Sequence, residues 1–149
     1  FSWHYGIMRC SKKSSSTPEA MRNTQLRPVN LMSGRLSRPG GGMNQGDVFW
    51  YTFKEPDKRR PVVILTRDSA IPYLTAVTIA PITTTIRAIP SEVVLSEADG
   101  LLTECAANCD NLQTIAKSKL GGYITHLAPE KLRALHEAIG FALGFDALE

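Results

Sequence analysis

Only 7 % of this 149-residue chain is aromatic, three residues are histidine and three are cysteine. Each scarcity excludes something. His4, His126 and His136 are widely separated in sequence, and none adjoins the basic run at Lys58, so a histidine pair sharing acid and base work is not expected there. Cys10, Cys105 and Cys109 are an odd set, which does not read as a disulfide framework, and no apolar run approaches transmembrane length. The chain is therefore expected to be a soluble protein of a reducing, cytoplasmic compartment, without a membrane partner. Cys105 and Cys109 are four apart, but even with His126 they do not complete a tetrahedral zinc set. They are expected to be buried strand cysteines, with no metal and no cofactor.

Acid is scarce at the N-terminus. Residues 1–42 hold seven Lys or Arg against the single Glu19, so the formal charge of +3 belongs to this stretch. Residues 43–149 carry ten basic and thirteen acidic residues and are net negative. An argument from overall basicity to nucleic acid would mislead here, and a polyanion site has to come from local clustering. The first 42 residues also lack hydrophobic periodicity and end in Pro39-Gly40-Gly41-Gly42. They are expected to be a disordered or non-native extension, with Met43 the candidate natural start of a single domain, 43–149.

What is present is a succession of short strand patterns. Val48 to Phe53 is β-branched and aromatic, and the charged turn Lys54 to Lys58 joins it as a hairpin to Pro61–Thr66. That second run is apolar without alternation, as in a strand covered on both faces, and Pro61 suits its first position. Leu74–Ala80 alternates and is expected to close at Pro81. Glu92–Leu95, Cys109–Ile115 and Gly121–Thr125 follow as strands, the last at an edge, with a turn at Asp99-Gly100. Leu132, Leu135, Ile139 and Leu143 then recur at helical spacing, between Pro129 in a first turn and Gly144 as a stop. The expected class is mainly β with α, a small barrel carrying a C-terminal amphipathic helix.

Two stretches could carry chemistry. Lys58-Arg59-Arg60 places fixed positive charge at the mouth of the buried strand, where the Arg60 guanidinium can fork onto a phosphate. Thr83-Thr84-Thr85 follows Pro81-Ile82. By propensity these are β-branched residues at a strand end, but if their strand lies beside Arg60, hydroxyl and guanidinium converge on one phosphate.

Six segments in order resemble the MazF/PemK family of toxin endoribonucleases, its mycobacterial members most closely. They are Gly46-Asp47-Val48-Phe49-Trp50, Arg60 to Thr66, Ala80 to Thr85, Pro90-Ser91-Glu92-Val93, Asp99-Gly100-Leu101 and Cys109 to Ile115. The resemblance spans about residues 43 to 145. It implies an SH3-like barrel, a symmetric homodimer, a cognate antitoxin, and metal-independent cleavage of single-stranded RNA such as mRNA, rRNA or tRNA. The family's catalytic arginine falls on Arg60 and its catalytic threonine on Thr83. RNA contacts are implied for Asp110 and Asn111, with Lys58, Arg59, Thr84 and Arg87 expected to assist. The loop from Lys54 to Arg59 is shorter than in many members, so base preference does not carry over. The alternative is a non-enzymatic, gyrase-poisoning toxin on the same scaffold. Such toxins use a tryptophan near the C-terminus, and Gly144 to Glu149 has none.

Overall fold

The computed structural model describes residues 40–54 and 58–145. The expectation for the N-terminal extension lies outside the described residues except at Gly40–Gly42. Among the described residues, seven strands and one α-helix are found: β1 (Asp47–Thr52), β2 (Arg59–Ile64), β3 (Ala76–Thr83), β4 (Glu92–Leu95), β5 (Cys105–Asn108), β6 (Gln113–Ala116), β7 (Leu120–His126) and α1 (Pro129–Leu143). All pairings are antiparallel, in the order β4-β5-β3-β2-β1-β7, with β6 also on β3. This is the expected class, mainly β with a C-terminal helix.

The continuous apolar run of β2 has the expected cause. Val63 joins a core of Val48, Ala80, Ile82, Leu95, Leu127 and Leu135 beneath α1, whereas Val62 and Ile64 join a second core with Phe49, Val77, Ile79, Ile115 and Leu120. A strand whose side chains alternate between two dry faces has no polar position to spare. The helix follows its pattern as well: Leu135 is buried, Leu132 and Ile139 pack on the first core, and Gly144 closes it in the left-handed conformation at φ 72°. Leu143, expected on the packed face, is instead 55 % exposed, because the last turn runs past the edge of the core.

Three expectations about strands are corrected. Pro81 does not end β3, which runs through it to Thr83. Up to Pro81 the strand pairs with β2, and from Ile82 onward it pairs with β5, so the proline marks a change of partner. Pro61 is third in β2 rather than first, and the ladder to β3 begins only at Val62, so the missing N–H costs no bond on that side. Cys109–Ile115 is not one strand. A 3-10 turn over Cys109–Asn111 interrupts it, capped by the Asn108 side chain, which accepts from the Asp110 N–H at 2.9 Å, and β6 begins only at Gln113. Short polar side chains bonding their own backbone favour turns over strands, and Asn108 does so here.

Cys105 and Cys109 are both buried and unbridged. Burial raises both thiols, with the Asp99 and Glu104 charges adding at Cys105. Cys109 is pushed from an ordinary 9.0 up to about 11, first by burial and then by the neighbouring Asp110 charge. The unfolded chain loses this proton near 9.0 while the folded chain holds it to about 11, so the stabilisation is complete below pH 9 and is lost as pH rises through that window. Stability measured by urea midpoint should fall between pH 8.5 and 11 by up to about 2 kcal/mol more in wild type than in Cys109→Ala. Parallel curves would mean that the thiol is not held protonated.

Candidate active site

The β1–β2 hairpin sets the positions of the basic residues. Tyr51 pairs with Arg60 and Thr52 with Arg59, so the two arginines belong to the strand itself and not to its rim. Consecutive strand residues face opposite ways. Arg59 lies on the Trp50 side, its guanidinium carbon 4.8 Å from the ring centroid, an exposed cation–π contact. Arg60 takes the other face, shared with Val62 and Ile64 and the second core, and is half-buried. The expected basic cluster is thus divided: Lys58 and Arg59 are exposed, and Arg60 is half-buried on the face of the second core.

The last pair of the β2–β3 ladder is Val62 with Pro81, and Arg60 and Thr83 each lie two residues beyond it on the two neighbouring strands, Thr83 now paired with β5. Thr83 is half-buried at the end of β3, and its Oγ1 accepts the Thr85 N–H at 3.2 Å. With a lone pair so engaged, the hydroxyl proton remains to be donated to an anionic oxygen. A guanidinium and a hydroxyl are the donor types that an anion pocket needs.

The remaining candidates lie on two other segments. Thr84 and Arg87 are exposed on the segment leaving β3, and the Arg87 N–H donates to Glu92 Oε2 at 2.8 Å. Asp110 and Asn111 occupy the 3-10 turn after β5, both exposed. The Asp110 carboxylate accepts a 2.6 Å hydrogen bond from the hydroxyl of Ser91, which is itself only 2 % exposed. Ser91 also accepts the Cys109 N–H on its carbonyl at 2.9 Å, so a buried serine holds the first two residues of the turn that presents Asp110. Sequence reasoning missed Ser91 and also Tyr51, the partner of Arg60. The Pro90-Ser91-Glu92 match hinted at the serine, and a hairpin register read from the turn would have found the tyrosine.

Among the described residues, no group of three or more His, Cys, Asp or Glu is placed to hold a metal ion. His126, considered above as a ligand, instead places Nδ1 2.8 Å from Oδ1 of the fully buried Asp47. No described helix is long and apolar enough to cross a membrane.

Residues 44–143 match the family model described as PemK-like, MazF-like toxin of type II toxin-antitoxin system. The chain belongs to that family. It is 48 % identical over 90 residues to endoribonuclease MazF3 of Mycobacterium tuberculosis, covering 60 % of this chain and 87 % of the relative. The solved Mycobacterium tuberculosis toxin MazF-mt6 superposes with a TM-score of 0.61 at 43 % identity, over 66 % of this chain and 96 % of that one. A mycobacterial endoribonuclease solved in complex with its cognate antitoxin gives a TM-score of 0.61 at 26 % identity, over 69 % of this chain and 96 % of that one. Two of these proteins are named as endoribonucleases, which does not favour the gyrase-poisoning alternative for this MazF-like chain.

Proposed function

We propose that this chain is the toxin of a type II toxin–antitoxin pair and cuts single-stranded RNA in the cytoplasm at short sequences, arresting translation and growth. Arg60 and Thr83 hold the scissile phosphate. The ribose 2′ oxygen attacks the adjacent phosphorus, the bond to the 5′ oxygen breaks, and the products end in a 2′,3′-cyclic phosphate and a free 5′-OH. Negative charge grows on the phosphate oxygens during attack, and donors fixed beforehand stabilise it most effectively. Arg60 serves as such a donor and not as a base, since a guanidinium stays protonated far above neutral pH. Thr83 orients the same phosphate by donating its hydroxyl proton. Lys58, Arg59, Thr84 and Arg87 carry the neighbouring phosphates, and Asp110 and Asn111 offer an acceptor and an amide to a base edge. The observation that supports this reading is that Arg60 and Thr83 each lie two residues beyond the Val62–Pro81 pair on neighbouring strands of a chain in the MazF-like family.

Incubating the purified protein with a long unstructured RNA in EDTA tests the chemistry. Cleavage should persist at an undiminished rate and leave cyclic-phosphate ends. Loss of cleavage on chelation, restored by added metal, would overturn the mechanism.

The assembly follows from the same reading. A second copy related by a twofold axis would cover exposed strand edges and align two pockets on one RNA-binding face, and a cognate antitoxin would occupy that face. Residues 43–149 suffice for this: a chain starting at Met43 should remain dimeric by light scattering across micromolar dilution and cleave at the full-length rate. Aggregation of the shortened chain, or a monomer that cleaves normally, would contradict the assignment.

A further inference from the structure

Arg60 has an aromatic neighbour that no part of the proposed chemistry uses. Tyr51 is its direct partner across the β1–β2 ladder, and residues so paired project to the same face about 5 Å apart. On its other side Tyr51 is level with Leu120 of β7, which is buried in the second core. Phe53 meets the Tyr51 ring edge-on, with centroids 4.7 Å apart and planes at 87°. The ring packs against the second core on one side and is only half-buried, so part of it reaches solvent. The neighbouring Phe49–Tyr123 pair, 5.6 Å apart at 73°, extends the same aromatic face toward the core. Trp50 lies on the opposite face with Arg59, so it does not compete for this place.

We propose that Tyr51 is a positioning residue on which a nucleobase next to the scissile phosphate stacks. This rests on the endoribonuclease reading and extends it. A rigid, half-exposed ring beside a guanidinium suits a single-stranded nucleotide: the base takes the π-face while its phosphate reaches the cation. Stacking accepts any base, so Tyr51 contributes affinity and alignment, and the choice of sequence falls to polar groups such as Asp110 and Asn111.

The test uses the full chain and unstructured ten-nucleotide 2′-O-methyl RNAs, which lack the attacking hydroxyl, each carrying one 2-aminopurine. Binding should quench the fluorophore at one position, and the quench should survive in Tyr51→Phe but vanish in Tyr51→Leu. The leucine variant should bind about 5- to 150-fold more weakly. On cleavable RNA its KM should rise by a similar factor while Tyr51→Phe stays near wild type. Quenching and affinity unchanged in Tyr51→Leu would overturn the proposal. Should the leucine variant not fold, photocrosslinking of wild type to the same RNAs carrying 5-iodouridine decides: the crosslink should map to Tyr51, and a crosslink mapping only elsewhere overturns it. Stacking by a protein that does not cleave RNA would defeat the endoribonuclease reading alone. Cleavage without stacking would defeat this inference alone.

Discussion

Arg60→Ala should lower the rate of RNA cleavage by about two to three orders of magnitude, the cost of removing one preorganised donor from a developing oxyanion. The fold should survive. Arg60 is half-buried at the end of β2, and the residues that build the two cores, Val62, Val63 and Ile64, follow it in the strand. Arg60→Lys should recover only part of the loss, because an ammonium keeps the charge without the forked geometry that fits a phosphate. Circular dichroism alongside single-turnover kinetics separates the two effects. A folded alanine variant that cuts at the wild-type rate would remove Arg60 from the chemistry.

Asp47→Ala should be the most damaging change to stability, by about 3 kcal/mol, or a drop in Tm of roughly 12–20 °C for a domain of this size. Asp47 is fully buried, with Oδ1 2.8 Å from His126 Nδ1 and Oδ2 accepting the Asn44 N–H at 2.8 Å. Its neighbours close the same corner: the Gly46 N–H donates to the Ile64 carbonyl at 2.8 Å, and the Leu127 N–H to the Gly46 carbonyl at 3.0 Å. Removing the carboxylate leaves the Asn44 N–H and the imidazole without this acceptor where β1, β2 and β7 meet. That corner is at the end of β1 away from Tyr51, so cleavage well below the melting temperature should be nearly normal. Calorimetry and a cleavage assay at 15 °C check the two halves of the statement. An unchanged Tm would mean that the corner relaxes around the loss.

The contrast between these residues shows what the sequence could reveal. Helix α1 was legible because its apolar residues recur at helical spacing and its ends carry Pro129 and Gly144. Strand β2 was legible from its composition, although its start was placed two residues late, since Pro61 looked like a boundary and Arg59 and Arg60 looked like a rim. Strand β5 was not delimited, although Cys105 was expected to be a buried strand residue. Cys105-Ala106-Ala107-Asn108 is buried at every position, so it shows no alternation, and alanine and asparagine argue against a strand locally. Only its place between β4 and β3 makes it one.

The site divides in the same way. Arg60 was legible because it precedes Pro61 at the opening of a strand pattern, whereas Thr83 stood out within Thr83-Thr84-Thr85 only through the family resemblance; each lies two residues beyond the Val62–Pro81 pair. The grouping of Arg59 with Arg60 failed because a one-residue step turns a strand side chain to the other face, which a charge count cannot see. The Ser91–Asp110 and Asp47–His126 contacts join residues 19 and 79 positions apart, and nothing local announces such pairs.

The central claim is that Arg60 and Thr83 grip one phosphate, and a double-mutant cycle on single-turnover cleavage tests it most directly. Arg60→Ala, Thr83→Ala and the double variant are compared with wild type on one unstructured RNA. Groups that stabilise the same transition-state oxygens act as a unit, so the double variant should lose far less than the product of the two single losses. Losses that multiply independently, or a Thr83→Ala variant that cuts like wild type, would contradict the shared pocket.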